Sequence, residues 1–306
     1  MRFRINALKQ VAKNVWNLER RLDEIKINQG RILANQQSLR PSKDLADHEF
    51  KIFSQWGEDG ILQFLTRSLA IPHRTFIEFG VEDFFESNCR FLMMKDLWRG
   101  YVIDGSQANI ERLRASYFYW RYQLRSKASF ITVDNICNLL EESGFARDLG
   151  ILSIDLDGID YHVLERLEDW RPAILVVEYN SAFGSERAVS VPYHAAFRRG
   201  DAHFSSLYYG ASLPAFCYLT ARRGYGLVGT NSMGSNAFFV RRDLLNDLVR
   251  EIGPKDGYRD GVFRESRDVR GRPSTLSGAD RLRDMRMLPL IDVVSGDSMV
   301  VADLER

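Results

Sequence analysis

From Leu8 to Leu39, apolar residues recur at alternating spacings of three and four. With Leu8 as heptad position a, the a positions are Leu8, Val15, Leu22, Gln29 and Gln36, and the d positions are Val11, Leu18, Ile25, Ile32 and Leu39. A seam this narrow over more than four heptads predicts a coiled coil and self-association, since a helix lying on a globular core shows a wider apolar face. Glutamine at two a positions lowers stability and can fix register. The flanking residues (Ala12, Glu19, Lys26; Asn14, Arg21, Asn28) leave strand number and orientation open. Their basic excess also permits weak peripheral contact with an anionic membrane surface. Pro41 ends the helix, because proline disfavours helical geometry in the residue before it, and residues 41–50 read as a linker.

Beyond it the pattern changes. Short β-branched or aromatic runs, "RTFIEFG" (74–80), "GYVIDGS" (100–106), "ASFITVD" (128–134), "GILSIDLD" (150–157) and "AILVVEYN" (173–180), recur every 22 to 28 residues and end in an acid, Gly or Asn. Segments with helical spacing separate them, which predicts crossover units and a parallel sheet. "GYGLVGT" (224–230) and "NAFFVRR" (236–242) are joined only by "NSMGS", too short for a crossover and suited to an antiparallel hairpin. Five alternating units and a terminal hairpin are the layout of class I methyltransferases. The predicted fold is therefore α/β and Rossmann-like: a mostly parallel seven-stranded sheet with a terminal antiparallel hairpin. The expected domains are a coiled-coil oligomerisation helix (1–40), a main domain (41–250) and a C-terminal extension (251–306), the last a solvated tail or a lid.

Composition narrows the setting. At 45% hydrophobic and 27% charged the chain is ordinary for a soluble protein, and its longest apolar runs are strand-length. The first residues carry scattered charges and no apolar core, unlike a secretory signal. Three widely spaced cysteines, Cys89, Cys137 and Cys217, form neither a disulfide framework nor a metal knuckle. A cytoplasmic location is expected. A net charge of +1 gives no argument for nucleic-acid binding.

Ligands of an open parallel sheet bind beyond the carboxyl ends of its strands. Those ends supply Glu78, Gly80, Asp104, Asp134, Asp155, Asp157, Glu178 and Asn180. Gly80 would let a ligand approach the backbone, and Glu78 could meet an ammonium or a ribose hydroxyl. Asp104, 24 residues further on, is placed for two ribose hydroxyls, and Asp134 with Asn135 for an adenine amino group. The loop after Glu78 lacks the glycines and basic residues of a pyrophosphate cradle, so a ligand without phosphate is favoured.

The stretches "FSQWGEDGIL", "FIEFGVEDFFESN", "GYVIDGS", "LSIDLDGIDYHVL" and "VVEYNSAFG" resemble the FkbM-type S-adenosylmethionine-dependent methyltransferases, many of which modify sugars or surface-polysaccharide precursors. The resemblance spans roughly residues 50–245. It implies an O-methyltransferase with a sugar or glycan acceptor, and cofactor roles for Gln55, Glu58, Glu78, Gly80, Asp104, Ser106 and Asp134. The chain departs from the group's usual Gly-x-Gly loop at the second glycine.

The three acids of "SIDLDGIDYH" divide. Asp160 is expected to cap the following helix. Asp155 and Asp157 could join Glu178 and Asn180 as hard oxygen ligands for Mg²⁺, which would hold a sugar diol and lower a hydroxyl's pKa. An EF-hand loop is excluded, because its sixth and twelfth positions would be Asp160 and Arg166. His203, in the polar and aromatic segment before the sixth strand, and Asp155 are the candidate catalytic residues, with Tyr208 and Tyr209 as a sugar platform. Arg264, Arg267 and Arg270 offer an anion site in the tail. Two rival functions stay open: a metal-dependent glycosyltransferase using Asp155-x-Asp157, and a non-catalytic coiled-coil scaffold with a degenerate domain.

Overall fold

The structure, a computed structural model, describes residues 2–262 and 266–305, with side chains for 17–262 and 266–304. In chain order the elements are α1 (Arg2–Gln37), α2 (Glu58–Ser68), β1 (Thr75–Phe79), α3 (Arg90–Asp96), β2 (Arg99–Asp104), α4 (Gln107–Ala115), α5 (Tyr117–Arg121) and β3 (Leu124–Ala128). Then follow α6 (Ile136–Glu141), β4 (Ile151–Ile154), α7 (Asp160–Arg166), β5 (Ile174–Glu178), β6 (Val189–Ser190), α8 (Arg199–Ala202) and α9 (Leu213–Arg222). The hairpin β7 (Tyr225–Thr230) and β8 (Asn236–Arg241) comes next, then α10 (Pro254–Gly257), α11 (Asp280–Arg283), β9 (Pro289–Asp292) and β10 (Ser298–Val300).

Seven strands form one sheet in the order β3-β2-β1-β4-β5-β8-β7. All neighbours are parallel except β8, which runs antiparallel to both β5 and β7. The mostly parallel seven-stranded sheet with its terminal antiparallel hairpin is the α/β, Rossmann-like arrangement expected from the alternating units. Both faces are covered, so the strands read as nearly continuous apolar runs. Phe76, Val102, Ile151 and Val176 face a core that includes α2 and α3, while Ile77, Ile103, Leu152 and Val177 face one that includes α6, α7 and α9. The chain builds outward from β1 to β3 and then returns to place β4 on the other side of β1. The carboxyl ends of β1 and β4 thus flank the topological switch point, where such sheets open a crevice.

Three expectations are corrected. The third strand is Leu124–Ala128, and 129–134 is a loop, because the polar strand "LRSKA" at the sheet edge carries no apolar run to betray it. The expected linker is integral: Leu45 and His48 are buried in a 3-10 turn, with Leu45 against Gly229 of β7 and His48 stacked on Phe64. The tail is folded. Its β9 joins β10 and β6 in a three-stranded sheet, over a small core of Phe183, Val191, Leu207, Leu282, Met285 and Leu290.

The helix α1 also packs on its own domain, but through a face other than the heptad seam. Asp23, Ile27, Gly30, Ala34 and Gln37 are buried, and a Cβ on Gly30 would stand 2.4 Å from the Phe91 ring. Gln37 donates to the carbonyls of His48 and Gly60 at 2.7 and 2.8 Å. Asp23 accepts from Arg90 at 2.6 Å and from the Tyr117 hydroxyl at 2.7 Å. Arg90 is itself enclosed, with its guanidinium 4.2 and 4.1 Å from the Phe53 and Phe118 ring centres. Removing one partner of a buried pair leaves an uncompensated charge. Asp23→Ala should therefore destabilise the protein by about 3–5 kcal/mol in urea unfolding, and a change under 1 kcal/mol would mean that the pair does not anchor the helix.

Candidate active site

The segment before α2 is shaped by its own acids. One Asp59 oxygen accepts from the amides of Ile52, Phe53 and Ser54, each at 2.7 Å. Glu58 accepts from the Trp56 and Gly57 amides and, through its other oxygen, from the Asn231 and Asn236 amide groups, both at 2.8 Å. Glu58 is fully buried and off the cavity; it ties this segment to the β7–β8 hairpin, which leaves Gln55 and Trp56 on the cavity wall. Asn231 and Asn236 thereby have a structural use as well.

A cavity of about 1110 Å³ opens at the carboxyl edge of the sheet. Gly80, Asp104 and Ser106 line one part of its wall. Gly80 has φ +66°, and a Cβ there would stand 1.8 Å from the Asp155 carbonyl oxygen, so only glycine lets β1 and β4 close up at the switch point. The Asp104 carboxylate accepts from the Glu82 amide (2.8 Å), the Ser106 amide (2.7 Å) and the Asn109 side chain (3.3 Å). Only Glu82 is bonded to its Oδ2, which keeps acceptor capacity toward the cavity. Ser106 caps α4 through the Asn109 amide at 3.3 Å. Glu78 lines the wall but works mainly on the protein: it accepts from Ser87 Oγ and the Asn88 amide at 2.7 Å and from the Cys89 amide at 3.2 Å, fixing the loop after β1. Burial pushes its pKa up to about 7.

Three carboxylates also line the cavity. Oxygens of Asp155, Asp157 and Glu178 lie within 4.8 Å of one another. Asp157 is held at φ +54°, a left-handed conformation costly for a residue with a side chain, and the turn is locked by Asp160, which accepts from the Leu156 amide (2.7 Å) and the Gly158 amide (3.0 Å). Asp160 thus braces the turn instead of capping α7. Glu178 Oε2 is buried and has no hydrogen-bond partner. Burial, then the neighbouring Asp157 and Asp160 charges, raises the Asp155 pKa well above the carboxylate range; burial and then Asp155 do the same to Glu178. Among the described residues, Arg199 stands beside them, 3.0 Å from Asp157 and 3.9 Å above the centre of the Tyr209 ring.

Other expected residues fall elsewhere. Asn180 reaches the cavity, but its amide donates to the Leu207 and Tyr209 carbonyls and accepts from the Ala182 amide, so it stands outside the acid cluster as a loop brace. Asp134 is exposed and off the cavity, since the strand expected to carry it ends at Ala128; Ser129, Phe130 and Ile131 line the wall there instead. His203 is also off the cavity, its Nδ1 bonded to Ser205 Oγ at 2.7 Å, because α8 turns it toward the folded tail. Tyr208 donates to the Pro289 carbonyl at 2.5 Å, away from the wall, whereas Tyr209 lines it. Arg267 lines the cavity, Arg270 does not, and Arg264 lies outside the described residues. Arg199 and Arg281 were missed. For Arg199 the signal was a basic pair, "RR", in a loop facing an acidic rim.

With this geometry in hand, the chain can be set beside known proteins. It is similar to a candidate O-methyltransferase from Klebsiella pneumoniae, over 70% of this chain and 87% of that one, at 10% identity and a TM-score of 0.40. It is similar also to an O-methyltransferase from Bacillus cereus in complex with SAH (70% and 88%, 12% identity, TM-score 0.36). An O-methyltransferase family protein from Burkholderia thailandensis is matched over 60% of this chain and 57% of its own length, at 10% identity and a TM-score of 0.36. No family model matches the chain, and no curated protein does. Likenesses this slight carry no argument about activity, and the fold rests on the strand order itself.

Buried carboxylates without donors oppose folding. Glu178→Gln should therefore raise the melting temperature at pH 7.5 by a few degrees, read by calorimetry. A lower melting temperature would show that the charge is compensated within the fold.

Proposed function

We propose that the chain is an S-adenosylmethionine-dependent methyltransferase acting on a hydroxyl oxygen of a sugar or glycan precursor, with a divalent cation such as Mg²⁺ at Asp155, Asp157 and Glu178. One observation carries the reading. A single cavity joins a cofactor-type pair of strand ends, Gly80 and Asp104, to an acid cluster in which Glu178 offers a buried oxygen without a partner. Carboxylate oxygens gathered this closely are the hard donor set that a divalent cation takes.

S-Adenosylmethionine would supply an electrophilic methyl group on a sulfonium. The remaining work falls to this chain. Asp104 would accept the ribose hydroxyls, and Gly80 would give the cofactor close access to the backbone. Phe130, next to Gly105, offers a flat face for the adenine. The bound cation would hold vicinal hydroxyls and make one more acidic. Asp155, whose carboxylate lines the cavity, would accept the proton released by that hydroxyl as its oxygen takes the methyl group and the sulfonium leaves as the neutral thioether. With His203 off the cavity, no imidazole competes for that role among the described residues. The glycosyltransferase rival finds less support, because the loop after β1 presents an acid-fixed turn where a diphosphate would need cations.

Calorimetry separates these readings. S-Adenosylhomocysteine should bind the wild type, and Asp104→Ala should weaken it about 10- to 100-fold, as expected for hydrogen bonds to a charged acceptor. Binding of UDP-glucose without S-adenosylhomocysteine would overturn the proposal in favour of glycosyl transfer. Binding of neither would favour the scaffold.

A further inference from the structure

From Leu18 onward, among the described residues, the heptad seam of α1 is left exposed by the fold. Leu18, Leu22, Ile25, Ile32 and Leu39 are 56%, 49%, 62%, 59% and 84% exposed, although the same helix buries Asp23, Ile27, Gly30, Ala34 and Gln37 against its domain. At 100° per residue the two stripes stand roughly 150° apart around the helix. The domain already occupies one side, so it cannot cover the other. We propose that the seam pairs with the seam of a second copy of this chain.

Two observations favour that occupant. The repeat alternates three and four from Leu8 to Leu39, the spacing that knobs-into-holes packing between helices requires. The stripe is narrow and flanked by Arg21, Glu24, Asn28 and Asn35, all exposed, whereas a helix lying in a lipid interface needs a broad apolar face.

The arrangement has a consequence for the site. The Asp23–Arg90 pair ties α1 to the start of α3, and Arg90 also donates to the Phe85 carbonyl at 3.1 Å in the loop that leads to Ser87 and Glu78. A dimer built on α1 thus holds two cavities on one rigid axis.

Light scattering of the full chain at 20 to about 50 µM tests this. The wild type should have twice the 35.3 kDa chain mass. Leu22→Glu/Ile25→Glu should run as a monomer with unchanged circular dichroism and an unchanged melting profile, because both side chains are exposed. A monomeric wild type, or a variant that stays dimeric, would overturn the proposal, as would a monomeric wild type that co-sediments with phosphatidylserine vesicles. Neither result depends on whether the cavity binds S-adenosylmethionine.

Discussion

The rest of the structure is arranged around one electrostatic constraint: Asp155 and Glu178 sit half-buried on adjacent parallel strand ends and line the cavity together with Asp157. Like charges this close raise one another's pKa, and the interior offers them few donors. The fold holds them there by rigid means. The strands are locked between two apolar cores, and Asp160 fixes the turn that carries Asp157. Such an arrangement is expensive in stability and is characteristic of sites that bind a cation or a proton.

The same logic explains why so many polar groups near the cavity serve the backbone. Asp59 and Glu58 shape the segment carrying Gln55 and Trp56, Glu78 shapes the loop after β1, and Asn180 braces the loop after β5. Each fixes a piece of irregular chain that would otherwise leave buried amides unpaired. The groups left over, Asp155, Glu178 and one side of Asp104, are those free to meet a ligand. The folded tail adds a second wall, since Arg281 reaches Ser181 and Asp260 from α11, and Arg267 comes from the loop before it.

Much of this was legible in the sequence, for identifiable reasons. Apolar runs ending in acids marked β1, β2, β4 and β5, and a five-residue connection marked the hairpin, so the sheet and its acidic rim followed directly. Where the signal was weaker the reading failed. The edge strand β3 is polar, and the apolar "SFIT" beside it drew the boundary six residues too late, which displaced Asp134. Asn180 and Glu58 have the right residue type at the right place, but only three-dimensional partners show that their hydrogen bonds are already made. The buried stripe of α1 was hidden because it is built from Asp, Gly, Ala and Gln as much as from Ile. The tail's short strands, rich in Arg, Asp and Gly around them, gave no periodicity long enough to read.

The most direct measurement is a crystal structure of the protein soaked with S-adenosylhomocysteine and Mn²⁺, with anomalous scattering used to locate the metal. The account predicts the ribose on Asp104, the homocysteine sulfur facing the acid cluster, and one anomalous peak within coordinating distance of Asp155, Asp157 and Glu178. Ligand and metal both absent from the cavity, with Arg199 alone against the three carboxylates, would contradict it.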